Sequence, residues 1–271
     1  MSGKHPIITL TTDFGTTDYY VSAMKAVICS INPEVTIIDV SHDIPPQDIM
    51  AGAWVLKNTA FLYPEGSVHV CVVDPGVGTK RKPIILKVNN QFFIGPDNGL
   101  FSLIADGEKF SAYVITNPDL IRKKPSSTFH GRDIFSPAAA HLASGTPLEF
   151  FGPELTDIIT YKWAQATVGK DGIQGWVLHV DRYGNLITNI SGKMIKELET
   201  KSIKIYAGTF IIDDIVKTFG DVDDGEPAAL IGSSGMIEIV VNKGNAAQLL
   251  GIFKGAPVTI LSKKQNKQPE N

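Results

Sequence analysis

Residues 68–81 read VHVCVVDPGVGTKR, and the rest of the chain is organised around this stretch. It begins as an apolar, β-branched run and breaks at Asp74-Pro75-Gly76, the pattern of a buried strand followed by a tight loop. Asp74 therefore stands at a strand end, and Arg81 follows seven residues later. Ligands of open α/β sheets bind beyond the carboxyl ends of the strands, so Asp74 is a candidate for a reacting group. A carboxylate that only caps the turn before Pro75 explains the pattern equally well.

Strand and helix patterns alternate up to this stretch. Strands are predicted at 6–12, 35–40 and 68–73, and helices at 19–31 and 47–59. Such alternation predicts a parallel sheet with right-handed crossovers. The first strand ends at Asp13, so a second strand end carries a carboxylate.

Beyond the central loop the pattern changes to a hairpin, whose strands at 84–88 and 92–94 meet at Asn89-Asn90. A short helix at 100–105, a strand at 112–116 and an alanine-rich helix at 135–143 follow. His130 precedes that last helix. A lone loop histidine is more often a surface residue than a catalyst, unless the fold brings it beside Asp74 and Arg81.

Strand patterns dominate the second part of the chain. Strands are predicted at 175–180, 186–190, 203–206, 210–212, 228–231, 236–241 and 257–261, and a helix only at 246–250. The sequence therefore predicts an α/β N-terminal domain with a mostly parallel sheet, residues 1–160. A smaller all-β domain, a barrel or a sandwich, is predicted for residues 161–271.

The composition is that of an ordinary globular protein. The 271 residues are 43% apolar and 20% charged, and the net charge of −3 gives no sign of a nucleic-acid or membrane partner. No apolar run approaches membrane-spanning length. Cys29 and Cys71 lie in apolar runs, which predicts buried thiols in a reducing compartment. We expect a cytoplasmic enzyme or binding protein.

Several common sites have no motif here. The sequence has no HExxH, CxxC or clustered histidine pair, so no metal site is predicted. Asp13-Phe14-Gly15 occupies the turn where a dinucleotide-binding GxGxxG would stand. A carboxylate there would repel a pyrophosphate but suits the two hydroxyls of a ribose. Ser233-Ser234-Gly235 is explained by a turn between strands as well as by a nucleophilic serine.

Six segments, taken in order along both predicted domains, resemble one family. They are TTDFGTTDYY, VVDPGVGTKRK, GPDNGL, TFHGRDIFSPAAAHLA, DRYGNLITNI and SSGMIEIVVNKGNAAQLLG. The chain resembles the S-adenosyl-L-methionine (SAM) hydroxide adenosyltransferases, hydrolases that form adenosine from SAM and are related to the fluorinase and chlorinase. The resemblance implies SAM as the substrate and no cofactor. It also implies a homotrimer with each site between the N-terminal domain of one subunit and the C-terminal domain of its neighbour.

The resemblance also implies roles for single residues. The catalytic triad falls on Asp74, Arg81 and His130, and the ribose-binding carboxylate on Asp13. In the halogenating relatives the position of Asp74 is not Asp and a Ser lies near the position of Gly131, so this chain has the water-using pattern. Two residues, Asp181 and Asn185, resemble those that hold the methionine end. The segment that resembles the adenine and amino-acid contacts contains Ser233, Ser234, Glu238 and Asn242. The aromatic walls of the nucleoside pocket correspond to Phe129 and Phe219.

The chemistry of a sulfonium suits this set of residues. Its positive sulfur makes methionine a good leaving group, so orienting the water supplies most of the effect, about 7–11 kcal/mol in well-oriented reactions. Asp74, fixed by a bidentate pair with Arg81, is expected to hold the water. Either Asp74 or His130 accepts its proton. Two alternatives to hydrolysis stay open: halide-dependent transfer that gives 5′-halo-adenosine, and a non-catalytic sensor of adenosine or SAM.

Overall fold

The computed structural model describes residues 6–161, 165–198 and 202–262. The chain divides into two compact units, Met1–Tyr161 and Lys162–Asn271. In the described ranges, no helix has the length and apolar character that a membrane span needs.

The first unit is built on a seven-stranded mixed sheet. Its strands are β1 (Ile7–Thr12), β2 (Thr36–Ser41), β3 (Val68–Val72), β4 (Pro83–Val88), β5 (Gln91–Pro96), β6 (Phe110–Val114) and β7 (Glu154–Leu155). They lie in the order β2-β1-β3-β5-β4-β6-β7. Parallel pairing joins β2, β1, β3 and β5, whereas β4 and β7 run in the opposite direction. The predicted α/β domain with a mostly parallel sheet is confirmed.

Helices cover both faces of this sheet, and they are α1 (Tyr20–Ile31), α2 (Ile49–Thr59), α3 (Ser102–Ala105) and α4 (Ser136–Ala143). Side chains of α1 and α4 share one core with Val70 and Val72 of β3. Side chains of α2 and α3 share another core with Cys71 and Val73. Because successive side chains of a strand point to opposite faces, β3 is buried on both sides, which explains its unbroken apolar run.

Two expectations about this unit need correction. Cys29 was predicted to be buried, but it is exposed on α1, whereas Cys71 is buried as expected. The helix predicted from residue 135 is preceded by a π-helical turn, Gly131–Phe135, so the helical segment begins directly after His130. A π turn has no sequence period of its own, and the apolar pattern therefore did not reveal it.

A buried histidine joins three strands of the sheet. His69 Nδ1 on β3 lies 2.8 Å from Thr9 Oγ1 on β1, and His69 Nε2 bonds to Gln91 Oε1 on β5. The Gln91 side-chain amide donates in turn to the carbonyl of Tyr63 at 2.9 Å. Burial lowers the pKa of His69 to about 4, although the bond to Gln91 opposes this shift. His69 is therefore neutral at pH 7.

We expect His69 to make the first unit less stable in mild acid. The unfolded chain takes up this proton near the ordinary pKa of 6.5, whereas the folded chain does so only near 4. The free energy of unfolding therefore falls as the pH drops through this window, by about 3 kcal/mol in total and about 2 kcal/mol by pH 5. Urea denaturation of the wild type and of His69→Gln near pH 7 and pH 5 measures the difference. An equal loss in both proteins would contradict the assignment.

The second unit is an antiparallel sheet. Its described strands are β8 (Thr167–Val168), β9 (Gly172–Val180), β10 (Leu186–Ser191), β11 (Ile203–Ala207), β12 (Phe210–Asp213), β13 (Pro227–Ile231), β14 (Met236–Val241) and β15 (Pro257–Ser262). They follow the order β12-β11-β15-β9-β10-β14-β13, with β8 paired to β9. Val216, just after β12, donates to the carbonyl of Ala229 on β13 at 2.8 Å, so the two ends of the sheet approach each other. The predicted all-β domain is confirmed, in a nearly closed, barrel-like form.

One helix of this unit was not predicted. Besides the expected α6 (Ala246–Leu250), the chain forms α5 (Gly192–Glu197). Ser191 caps α5 by accepting a hydrogen bond from the amide of Met194 at 3.3 Å. The capping serine was the local sequence signal that could have indicated this helix.

Candidate active site

Asp74 and Arg81 form a buried ion pair just beyond β3. Arg81 Nε lies 3.0 Å from each carboxylate oxygen, and Arg81 Nη2 also donates to Oδ2. The side chains are 5% and 7% exposed, respectively. The guanidinium carbon lies 5.2 Å from the ring centroid of Phe135. Two-point hydrogen bonding and the ring contact together fix the plane of the guanidinium.

The loop that carries this pair is held close to the segment before His130. Gly78 has a φ of +76°, and a Cβ atom there would overlap the carbonyl oxygen of Ser127. Within the loop, Thr79 Oγ1 donates to the carbonyl of Gly76 at 2.7 Å. Only glycine combines this backbone conformation with such a close approach at position 78. The approach brings residues far apart in sequence to one place.

His130 completes the cluster. Arg81 Nη2 lies 2.7 Å from His130 Nδ1, so the three predicted triad residues are in contact. A guanidinium only donates hydrogen bonds, hence Nδ1 is the acceptor and the neutral ring carries its proton on Nε2. Burial and the charge of Arg81 lower the pKa of His130, and nearby Asp74 and Asp133 oppose the shift. The imidazole is thus neutral at pH 7 and offers Nε2–H as a donor.

Asp13 lies at the end of β1, and its surroundings fix one of its oxygens. Asp13 Oδ2 accepts a hydrogen bond from the backbone amide of Gln47 at 2.7 Å. The pKa of Asp13 is raised above its ordinary value, chiefly by burial and also by the charge of Asp74, although the Gln47 amide opposes this shift. Thr12 Oγ1 lies 2.8 Å from His42 Nδ1, which anchors the preceding residue. A carboxylate can accept about four hydrogen bonds, so acceptor capacity remains on Asp13 for a ligand.

These residues surround one cavity of about 390 Å³ in the first unit. Its lining includes the predicted site residues Asp13, Asp74, Phe129 and His130. Arg81 is not part of the lining. The lining is completed by Phe14, Tyr20, Pro46, Gln47, Val72, Pro75, Val77, Thr128 and Gly131.

Phe14 and Tyr20 are two of the lining residues that sequence reasoning missed. Phe14 was interpreted only as part of the turn after Asp13, and Tyr20 only as part of the first helix. The sequence did contain a signal for both residues. Asp13 ends the first strand, and the helix that follows it begins at the same edge of the sheet, so residues near the start of that helix should lie near Asp13.

Five other predicted residues line a cavity of about 420 Å³ in the second unit, namely Asp181, Asn185, Phe219, Ser233 and Glu238. The Asp181 carboxylate holds its own turn. Its Oδ1 accepts from the amides of Tyr183 and Asn185, and its Oδ2 accepts from Asn185 Nδ2, all at 2.9 Å. Burial and the charge of Asp181 raise the pKa of Glu238. The cavity thus presents carboxylate and amide groups beside the aromatic rings of Tyr183 and Phe219.

Two predicted residues lie outside that lining. Asn242 Nδ2 donates to the carbonyl of Val222 at 2.8 Å, which ties down the loop before β13. Ser234 Oγ is buried and has no hydrogen-bond partner among the residues that the structure describes. A buried hydroxyl without a partner is costly, so Ser234 is the stronger candidate of the two for a ligand contact.

In its described part the chain has no group of three or more His, Cys, Asp or Glu side chains arranged to hold a metal ion. The cluster in the first unit can instead orient a polar molecule. Asp74 accepts hydrogen bonds and His130 Nε2–H donates, and both side chains line the cavity. Such a set can hold a water molecule in a fixed direction.

Comparison with known proteins gives consistent matches over both units. Family models described as the SAM hydroxide adenosyltransferase N-terminal and C-terminal domains match residues 8–152 and 175–259. An (R)-S-adenosyl-L-methionine hydrolase from Salinispora tropica is 39% identical over 254 residues, 92% of this chain and 95% of the relative. A fluorinase from an Actinoplanes species is 28% identical, over 94% of this chain and 97% of the relative. The crystal structure of an uncharacterised conserved protein from Thermotoga maritima superposes with a TM-score of 0.87 at 38% identity, covering 94% of this chain and 99% of that one.

Proposed function

The chain belongs to the SAM hydroxide adenosyltransferase family, and we propose that it hydrolyses SAM to adenosine and L-methionine. The observation that carries the proposal is the contact of Asp74, Arg81 and His130 beside a cavity that also contains Asp13. We expect no metal ion and no organic cofactor to take part. Cys29 and Cys71 are free thiols, which supports a reducing compartment such as the cytoplasm.

The reaction is a displacement at C5′ of the substrate. The oxygen of water bonds to C5′ as the C5′–S bond breaks, and the electron pair of that bond stays on sulfur to give the neutral thioether of methionine. The water loses one proton, which leaves adenosine with its 5′-hydroxyl. Because sulfur carries a full positive charge beforehand, the protein needs chiefly to align the water with the C5′–S bond.

We assign the proton to Asp74 rather than to His130. His130 Nδ1 already accepts from Arg81 at 2.7 Å, and the neutral ring carries its proton on Nε2. Neither nitrogen can therefore take a proton from water unless Arg81 moves. Asp74 keeps acceptor capacity on its oxygens, and the proton passes from it to solvent. In this arrangement His130 Nε2–H orients the water as a donor.

This assignment predicts how activity depends on pH. Protonation of His130 at Nδ1 would displace the Arg81 hydrogen bond and place two cations together. Because its pKa lies below 6.5, turnover should be constant at neutral pH and fall only when the pH drops through that lowered value. His130→Gln does not titrate, so its profile should lack this acid limb. An acid limb that is unchanged in His130→Gln would assign the ionisation to another group.

Further roles follow from the family and from the placement of the residues. We propose that Asp13 binds the ribose hydroxyls and that Phe129 and Phe219 pack against the nucleoside. We assign the adenine and methionine contacts to the second unit, at Asp181, Asn185, Ser233, Ser234, Glu238 and Asn242. The last of these also stabilises the loop before β13. The relative from Salinispora tropica is named for the (R) form of SAM, and we extend that preference to this chain.

The two sets of residues belong to different units, which supports an assembly in which subunits share sites. We propose a homotrimer whose sites pair the first unit of one subunit with the second unit of a neighbour. Light scattering combined with an activity assay at decreasing protein concentration tests this. A strictly monomeric species with full turnover would contradict it.

Product analysis tests the reaction itself. Purified protein is incubated with SAM, with and without chloride or fluoride, and the nucleosides are separated by chromatography. Adenosine and methionine in equal amounts, independent of halide, are expected. The appearance of 5′-halo-adenosine would identify halide-dependent transfer, to which the fluorinase relative lends some support. Binding of SAM without any turnover would identify a sensor.

A further inference from the structure

Three aromatic rings contact one another in the lining of the first cavity. The ring centroids of Tyr20 and Phe129 are 5.2 Å apart at an interplanar angle of 86°. The ring of Phe14 lies 5.8 Å from that of Tyr20 and 6.0 Å from that of Phe129. Edge-to-face contacts at such distances stabilise a cluster, so the three rings form a wall that is in place before a ligand arrives.

We propose that this aromatic wall, formed by Phe14, Tyr20 and Phe129, recognises the positive charge of the substrate sulfonium, with Tyr20 as the main determinant; the inference rests on the proposed hydrolysis. The sulfonium sulfur is bonded directly to C5′. Since C5′ must face the water held at Asp74 and His130, the sulfur also lies in this cavity. Aromatic faces attract cations that cannot form hydrogen bonds, as a trialkylated sulfonium cannot.

The contacts of the rings favour Tyr20 as the main determinant of sulfonium recognition. Arg132 already lies over Phe129, with its guanidinium carbon 4.9 Å from the ring centroid. That guanidinium is held in place by Asp133 at 2.7 and 2.9 Å. One face of Phe129 is therefore occupied by a cation of the protein. Tyr20 lines the cavity, is 37% exposed and begins α1.

The charges around the wall favour the same ligand. Carboxylates of Asp13 and Asp74 line the cavity, whereas the two neighbouring cations, Arg81 and Arg132, are paired with Asp74 and Asp133. His130 is neutral at pH 7, because burial and Arg81 lower its pKa. A cationic ligand therefore meets a lining without a competing free positive charge. Electrostatic attraction and the ring faces act in the same direction.

The reaction gives this recognition a kinetic signature. The positive charge on sulfur decreases as the C5′–S bond breaks and is absent from the methionine product. An interaction with that charge is thus stronger in the bound substrate than in the transition state. Loss of the Tyr20 ring should raise KM for SAM without lowering kcat. A residue that positioned the water would show the opposite split.

The test compares SAM with S-adenosyl-L-homocysteine, which lacks one methyl group and the charge. For Tyr20→Leu, KM for SAM should rise about 2- to 30-fold, while the inhibition constant of the neutral thioether changes much less. Tyr20→Phe keeps the ring and should behave like the wild type. Tyr19→Leu is the matched control, because the Tyr19 ring contacts that of Tyr20, with centroids 4.7 Å apart at an angle of 37°, but Tyr19 does not line the cavity.

Equal weakening of both ligands in Tyr20→Leu would show a plain apolar contact and overturn the proposal, as would an unchanged KM for SAM. The experiment distinguishes failure of the aromatic-wall proposal from failure of the proposed hydrolysis. If the wild type binds SAM without hydrolysing it, the same comparison is made by calorimetry with intact SAM. Discrimination between the two ligands at Tyr20 then still supports the aromatic wall, although the hydrolase assignment has failed.

Discussion

Replacing Asp74 with asparagine is expected to lower turnover by about 10²- to 10⁴-fold, while KM for SAM changes by no more than about threefold. Asparagine keeps the size of the side chain but can neither accept the proton of water nor neutralise Arg81. The substrate is expected to rely on other groups for binding, so the loss should fall on kcat. Steady-state kinetics with adenosine as the measured product decides the point.

The Asp74→Asn variant needs a check on folding, because it leaves Arg81 buried without its counter-charge. Breaking a buried pair costs about 3–5 kcal/mol, so the assay temperature should stay well below the unfolding midpoint of the variant. Asp224→Asn removes an exposed ion pair with Lys243 and should leave turnover unchanged. A double variant of Asp74 and Arg81 should lose little more than Asp74→Asn alone, since the residues act as a unit. Near wild-type turnover in both Asp74→Asn and His130→Ala would mean that the water is activated elsewhere.

Replacing Asp13 with alanine should weaken binding of both SAM and adenosine by about 10²- to 10⁴-fold. A carboxylate that accepts from two ribose hydroxyls forms two charge-assisted hydrogen bonds, each worth about 1.5–3 kcal/mol. Calorimetry with adenosine measures the loss without interference from turnover. An affinity equal to that of the wild type would exclude the ribose-binding role.

The 2′-deoxy form of adenosine supplies the matched control for Asp13. The wild type should bind 2′-deoxyadenosine more weakly than adenosine. The Asp13→Ala variant should bind the two nucleosides equally, because the mutation and the missing hydroxyl remove the same interaction. Losses that add in full would place the carboxylate away from the 2′-hydroxyl. Asp13→Asn keeps one carbonyl acceptor and should fall between the wild type and the alanine variant.

Much of the fold was predictable because the local signals agree with the tertiary structure. The run from Val68 to Val73 is apolar on both faces, and β3 is indeed covered on both faces. The ends of β1 and β3 predicted where Asp13 and Asp74 would stand. In contrast, Cys29 sits on the outer side of an amphipathic helix, and an apolar neighbourhood in sequence does not decide which side of a helix faces solvent.

The site was harder to predict, because its geometry depends on contacts between distant segments. The hydrogen bond from Arg81 to His130 spans 49 residues, and it alone fixes which imidazole nitrogen carries the proton. The sequence left the choice between Asp74 and His130 open for that reason. Likewise, the packing of Tyr20 against Phe129 joins the start of α1 to the segment before α4, which no local pattern reveals.

The backbone at Gln47 has a consequence for how a nucleoside meets this cavity. Gln47 has a φ of +65°, a left-handed conformation that costs a residue other than glycine about 1–3 kcal/mol. Its amide donates a hydrogen bond to Asp13 Oδ2 at 2.7 Å. The carboxylate proposed to bind ribose therefore also stabilises the backbone of Gln47, which lines the cavity. The energy for this unfavourable backbone is supplied once, when the chain folds, and not at each binding event. The cavity is in this respect preorganised, so the free energy of binding a nucleoside is not reduced by the need to order the backbone at Gln47.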